Sequence, residues 1–495
     1  MSYKESKLDD KSGAVAADAA QAGPTTGTHG FRRLHGKDVW AVTPKAFTDD
    51  ETNDLGRKRA QRIGYLEGLR GLLAIEIMLW SFFRILAPAI QTDTEIDGSR
   101  PALFATTAPE WQHTLRKALS PLFWDGTLQA GFFMMLNGRV VVETFLERRN
   151  AVSIAGSAFR RPLRFFFPLA IALAITSAVN GLGGFKQANA FVALTSNNFA
   201  APPRIWGSTI EYFNALSGFF FATEDSFLDR GVQFVPPAPM MWFVPRVFMQ
   251  SFTCYTFSYM LPFVLTKHKF WSLGIFTLAT WWLGIWAWYS LTGLMIAELV
   301  VAYDLPAIAQ YGIPIGVPAF INKAKKVHLA SWLPPLVLLV LGVTLKYLWI
   351  FFPDRKNDEI IWHFNKFTGG LNHDFPIYQI AFPRLDDWFV CTGAFFLLEM
   401  SHGVRVVFDN FLFKAFARIS FPLFLLSGTV FMSLGTFLHQ HLYHSQNWTS
   451  EAALLGVEFA ACIPLAIGVA TAFHFVVEEP SIIFSRWLFK WLRED

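Results

Sequence analysis

The chain has 495 residues, 53% of them hydrophobic, 16% aromatic and only 16% charged, with 52 Phe, 18 Trp and a mean hydropathy of +0.33. Soluble domains carry roughly 25% charged residues, so composition excludes an ordinary soluble protein and indicates a polytopic membrane protein. The formal net charge of +4 says little about partners, and no nucleic-acid partner is expected; what informs is where the basic residues stand.

Residues 1–55 are rich in Ala, Gly, Thr, Ser, Lys and Asp, have little to bury, and are expected to form a disordered cytosolic arm. No apolar h-region follows Met1, so no cleavable signal peptide is expected and the first span takes the targeting role. A helix crossing a ~30 Å hydrocarbon core needs about 20 mostly apolar residues. Ten segments approach that: 68–90, 127–146, 163–181, 247–266, 270–287, 288–303, 331–352, 385–400, 419–438 and 452–477. The expected fold is therefore an all-α polytopic membrane protein of about ten transmembrane helices, with a membrane domain over 60–480 and long lumenal loops at about 91–126, 182–246 and 353–384. The middle loop includes the Pro- and aromatic-rich run Phe234–Phe243, which suggests a packed cap. After Pro480 the tail 481–495 sets Trp487, Leu488, Trp491 and Leu492 on one helical face and Arg486, Lys490 and Arg493 on another, the pattern of a helix lying in the membrane interface.

Orientation follows from the short basic connections. With the N-terminus in the cytosol, the inner segments carry Arg57 to Arg62; Arg148, Arg149, Arg160, Arg161 and Arg164; Lys267 and Lys269; Lys323 to Lys326; Arg405, Lys414 and Arg418; and Arg486 to Arg493. Both termini are then cytosolic. The sequon Asn447-Trp448-Thr449 falls on the lumenal side, where Asn447 can be glycosylated. The compartment expected is the endoplasmic reticulum and secretory pathway or the plasma membrane.

A charge at a helix centre costs on the order of 2.5–3.5 kcal/mol on insertion scales, so charged residues inside the segments are candidate functional positions. They are Glu76, Arg84, Arg139, Glu143, Glu298, Glu399, Glu458 and His474; structural pairing or snorkelling to the interface is the alternative at each. Cys254, Cys391 and Cys462 lie in apolar stretches, which argues against disulfides or a zinc site. His439, His441 and His444 have spacings that do not place all three on one helix face, and no metal is expected. The densest basic cluster is "AFRRPLRFFFP", Ala158–Pro168. Arg161 and Arg164, three apart at an expected helix start, can aim two guanidinium forks at one phosphate or pyrophosphate, helped by free backbone N–H groups of the helix end.

Several stretches together resemble the membrane acyltransferase type 3 family, especially its fungal members. "YLEGLRGLLA" resembles that family's opening signature, "GFFMMLNGRVVVETFLERR" its second span, and "FRRPLRFFFP" its arginine motif. "ARISFPLFLLSG" resembles a later span, and "FHFVVEEPSIIFSRWL" the last one. The likeness runs over roughly residues 60–493. It implies transfer of an acyl group, usually acetyl, from cytosolic acyl-CoA to a hydroxyl of a sugar, lipid or secondary metabolite, among membrane lipids. It implies that Arg70, Arg160, Arg161 and Arg164 serve the CoA phosphates.

The chain departs from that pattern at three polar positions. Ser81 stands where the family has a histidine eleven residues after the signature arginine, Val247 where it has a glutamate, and Ser427 where many relatives have a later histidine. General-base assistance is typically worth 10²–10⁴-fold, so another group must supply it if the chain is an enzyme. Glu76, on the helix of Ser81, is the candidate; His363 and the run Asn372-His373-Asp374 lie in an outer loop. Three functions stay open: an acyltransferase with a displaced base, a catalytically silent acyl-CoA or lipid binder that supports a partner, and a transporter. No inverted repeat or paired broken helices speak for the last.

Overall fold

The computed structural model describes residues 63–91, 108–148, 150–195, 197, 200–203, 206–221, 242–303, 305–315, 327–352, 355–356, 358–364, 369–371 and 382–494. The arm at 1–55, most of the run Phe234–Phe243, and Asn372-His373-Asp374 lie outside them. The helices of six residues or more are α1 (Gly64–Leu86), α2 (Glu110–Ala118), α3 (Gly126–Val140), α4 (Glu143–Arg148), α5 (Ala151–Gly181) and α6 (Lys186–Thr195). They continue with α7 (Thr209–Phe221), α8 (Phe243–Met260), α9 (Thr266–Trp282), α10 (Ala287–Tyr303), α11 (Leu305–Tyr311) and α12 (Leu333–Phe351). The last six are α13 (Leu385–Met400), α14 (His402–Phe408), α15 (Phe411–Arg418), α16 (Ser420–Val430), α17 (Glu451–Phe473) and α18 (Glu479–Glu494). Among the described residues the sheet content is one antiparallel pair, Ile313–Ile315 with Val327–Leu329.

A helix occupies the middle of each of the ten expected segments. Among the described residues four helices are long and apolar enough to cross a membrane: Ala151–Gly181, Leu333–Phe351, Ser420–Ser445 and Glu451–Arg493. A fifth arises if Leu385–Met400 and His402–Phe408, bent by 104°, are one broken span. The bend falls at Ser401, whose extended backbone and hydroxyl, accepting from the Val404 N–H, cap the second helix. The other segments fall short for different reasons. α9 and α10 have 17 residues each, about 25 Å at 1.5 Å per residue, whereas α1 is 23 residues long but carries Glu67, Arg70, Glu76 and Arg84.

The glycines of "LEGLRG" have a packing cause. A Cβ at Gly68 would run into the carbonyl oxygen of Phe408, and one at Gly71 into that of Phe413. Only glycine lets α1 lie this close to the α14–α15 segment. Past that crossing α1 runs beside α16, where Phe82 meets the edge of Phe431 at 5.4 Å and of Phe459 at 5.5 Å.

Most of the intramembrane charges are paired. Arg139 and Glu399, both fully buried, join α3 to α13 at 2.7 Å. Tyr65 Oη donates to the other Glu399 oxygen at 2.6 Å, and Glu143 receives Arg139 at 3.1 Å. Arg405 binds the Glu399 carbonyl and lies 4.8 Å from the Tyr65 ring centroid. Elsewhere Glu298 faces Lys269 at 3.9 Å, Glu458 takes His439 at 2.8 Å, and His474 takes Glu478 at 2.7 Å. Arg84 lies 5.0 Å from the Trp80 ring centroid. A buried ion holds its place only when paired and hydrogen-bonded, so these residues read first as glue between helices.

One buried cluster is absent from the sequence reading. Lys346 bridges Asp125, at 2.7 Å, and Asp387, while Arg384 and the Trp349 indole bind Asp386 at 3.0 and 3.1 Å. It ties the start of α3, the end of α12 and the start of α13. Nearby Lys356, in the turn after α12, has its pKa pushed down to about 8. Burial is the main cause, aided by the positive charges of Arg384 and Lys346 and opposed by Asp125 and Asp386.

Candidate functional site

The sequence places Arg161 and Arg164 at a helix start. The structure corrects this: α5 begins ten residues earlier, at Ala151, capped by Asn150, whose side chain accepts from the Val152 N–H. The arginines sit in the third and fourth turns, where backbone N–H groups are already used within the helix, so they have no help from the helix end. Pro162 and Pro168 are carried inside this 31-residue helix.

Arg161 turns inward. Its Nη2 donates to Asn137 Oδ1 on α3 at 2.6 Å, its guanidinium lies 4.7 Å from the Phe165 ring centroid, and Tyr255 and Cys254 of α8 are close enough to act on its charge. Asn137 is held in turn by Ser251, 3.2 Å away. Arg164 is exposed, yet Arg161, Arg70, Arg486 and Glu478 all stand within electrostatic range of it. Arg70 is half-buried and donates to the Ala417 carbonyl at 2.5 Å. Guanidinium groups from α1, α5 and α18 thus converge at the end of the bundle where α1 begins.

Arg160 departs from the group. Its Nε donates to the Gly156 carbonyl of its own helix at 2.8 Å, and its guanidinium lies 5.8 Å from the Phe489 ring centroid. Arg160 anchors α18 to α5.

Inward from the arginines runs a tract of rings. Phe165 meets Phe421 at 5.3 Å and Phe248 at 6.0 Å. One turn along α16, Phe424 meets Phe243 at 6.2 Å, and Phe243 meets Phe133 at 5.9 Å. Phe133 and Phe424 pack against Ile77 and Trp80 of α1. Beside the inner end stand the residues expected to be catalytic. Ser81 is fully buried and Ser427, one turn past Phe424, is 1% exposed; neither hydroxyl has a hydrogen-bond partner among the described residues. Two orphan hydroxyls in a packed interior each forgo about 1–3 kcal/mol of solvation. Glu76 is buried and accepts from Gln129 Nε2 at 3.1 Å.

Glu76 and Ser81 do not form a pair. Five residues apart, they are separated by about 140° around the helix, and Glu76 is engaged by α3. Val247, at the family's glutamate position, packs partly buried against the main hydrophobic core.

The remaining candidates are placed elsewhere. Asn447 is exposed, with φ 53°, in the turn before α17. The His439–His444 run is helical: His441 stacks on Phe437 and His439 on Tyr443. Among the described residues no group of three or more His, Cys, Asp or Glu side chains is placed to hold a metal. His363 is buried, its Nδ1 2.7 Å from the Trp281 carbonyl. Sequence reasoning missed Arg486 as a neighbour of Arg164. Its signal was the basic face of the tail, read as a lipid contact.

Comparison with family models, curated proteins and solved structures finds no match to this chain. The functional reading therefore rests on the residues themselves and on the motif likeness given above.

Proposed function

We propose that this chain is an integral membrane O-acyltransferase that moves an acyl group, usually acetyl, from acyl-CoA to a hydroxyl of a sugar, lipid or secondary metabolite. The observation that carries this reading is the convergence of Arg70, Arg161 and Arg164 at the head of an aromatic tract. Guanidinium forks suit phosphate and pyrophosphate oxygens, and an apolar, ring-lined interior suits a pantetheine arm and acyl chain. The portal faces the cytosol in a bundle of about ten spans with both termini cytosolic, in the secretory pathway or the plasma membrane.

In this reading the acceptor oxygen attacks the thioester carbonyl carbon, the C–S bond breaks, and the hydroxyl proton passes to the departing thiolate through a carboxylate. Glu76 is the carboxylate beside the inner end of the tract. Ser81 and Ser427 offer hydroxyl dipoles there but no base near neutral pH.

A second reading is supported by the same serines: a silent relative that binds acyl-CoA without turning it over. Incubation of purified protein with labelled acetyl-CoA and a pool of hydroxyl acceptors separates the two. Turnover in the parent that falls at least a hundredfold in Glu76→Gln supports the displaced base. Binding without turnover in the parent, with turnover gained in Ser81→His, supports the silent relative.

A further inference from the structure

The buried cluster at the joint of α3, α12 and α13 has no part in the acyl-transfer reading, and its charges do not balance. Asp125, Asp386 and Asp387 are at most 3% exposed, and Lys346 and Arg384, the cations bonded to them, at most 5%. Three carboxylates thus face two cations in a packed interior. Lys346 is shared between Asp125 and Asp387, while Arg384 is committed to Asp386 through Nε at 3.0 Å and Nη2 at 3.2 Å.

The wider surroundings do not make up the difference. Lys356, in the turn after α12, stands in electrostatic range of Asp125 and Asp386. Glu359 brings a further carboxylate, which accepts the Leu385 N–H at 3.0 Å and has His363 beside it at 3.6 Å. Tyr289 of α10 gives its hydroxyl to the Arg384 carbonyl, and the Cys391 thiol turns to the Leu128 carbonyl.

The hydrogen bonds single out one of the three aspartates. Asp125 accepts the Thr127 N–H at 3.2 Å and the Thr127 hydroxyl at 2.8 Å, besides Lys346 at 2.7 Å. Asp386 accepts both prongs of Arg384, the Trp349 indole at 3.1 Å and the Asp387 N–H at 3.0 Å. Asp387 has only Lys346, on Oδ1; its buried Oδ2 has no hydrogen-bond partner among the described residues. An under-supported ionised carboxylate is far costlier to bury than the neutral acid, and such a group takes up a proton instead.

We infer that this cluster is a proton-binding site, with Asp125 and Asp386 ionised and the bound proton on Asp387. Lys346 and Arg384 then balance two carboxylates, and the joint closes without net charge. Loss of the proton leaves one negative charge uncompensated and loosens the seating of α12 on α3 and α13. The inference goes beyond the acyl-CoA reading and does not depend on it.

The test uses the full chain in phosphatidylcholine nanodiscs near neutral pH and compares thermal unfolding of the parent, Asp125→Asn and Asp387→Asn. An amide has the size of the protonated acid, so Asp387→Asn should unfold within about 2 °C of the parent or above it. Asp125→Asn strands Lys346 and should lose roughly 5 °C or more. If Asp387→Asn falls by as much as Asp125→Asn or further, or does not fold, Asp387 is an ionised partner of Lys346 and the inference fails. Infrared difference spectroscopy reads the proton itself. The carbonyl stretch of a protonated carboxyl, shifted on exchange into deuterated water, should be present in the parent and lost in Asp387→Asn; identical carbonyl bands in the two overturn the inference. Neither measurement involves CoA, so failure here leaves the acyl-CoA reading standing.

Discussion

Glu399→Gln offers the sharpest test of how the bundle is held together. The Glu399 side chain is fully buried and accepts Arg139 Nε at 2.7 Å and Tyr65 Oη at 2.6 Å. An amide of the same size can keep the tyrosine bond but cannot neutralise Arg139, whose own side chain is also fully buried. Breaking a buried pair typically costs about 3–5 kcal/mol because the surviving charge is stranded. Glu143, 3.1 Å from Arg139 and 15% exposed, recovers part of that, so a loss of about 3 kcal/mol is expected. Arg139→Met strands Glu399 less, because Arg405 and Tyr65 remain against it. Removing both charges with Arg139→Met/Glu399→Gln leaves neither partner stranded by the other and should recover most of that loss. The assay is equilibrium unfolding in mixed micelles, arranged as a double-mutant cycle. A Glu399→Gln loss under about 1 kcal/mol, or a double variant as unstable as the two singles summed, would refute the reasoning.

Two further outcomes follow from the packing and the charges outside the spans. Gly71→Val drives a side chain into the Phe413 carbonyl; a loss of about 1–3 kcal/mol is expected in thermal unfolding. Gly456→Ala, with nothing within 4 Å of its Cβ position, serves as a control that should be neutral or better. Lys356 binds its proton less tightly in the fold, at about 8 against an ordinary 10.5. Between those values the unfolded chain holds more protons, so stability contributed by this residue rises from pH 8 to 10.5 and its cost is fully present below 8. Lys356→Gln should flatten that rise in urea titrations run across the same pH window; an unchanged slope contradicts the assignment.

The helical class was legible because apolar runs bounded by charge are strong signals; of the ten expected spans, four or five are long and apolar enough to cross a membrane among the described residues. Helix ends were not legible. Arg161 and Arg164 read as a helix start because the apolar run opens at 163, but the helix begins upstream, carries Pro162 inside it, and takes its cap from Asn150. The intramembrane charges were visible, their partners were not, because Arg139 and Glu399 are 260 residues apart and only the folded chain joins them. Lys346 escaped notice within an apolar run for the same reason: its partners Asp125 and Asp387 come from two distant segments. Arg70, Arg161 and Arg164 stand out in the sequence by motif and chemistry; the packing of α18 on α5 does not, since it depends on how Phe489 seats the last helix.

The central claim is that the arginines at the head of the aromatic tract bind the phosphates of acyl-CoA. Calorimetric titration of CoA into the parent and Arg161→Gln, each in phosphatidylcholine nanodiscs, tests it most directly. Arg161 is half-buried and bound to Asn137 at 2.6 Å, and a lost charge-assisted contact is worth roughly 1.5–3 kcal/mol. CoA should bind the parent and bind Arg161→Gln about 10- to 100-fold more weakly. A parent that binds no CoA, or a folded Arg161→Gln that binds it equally well, would contradict the account.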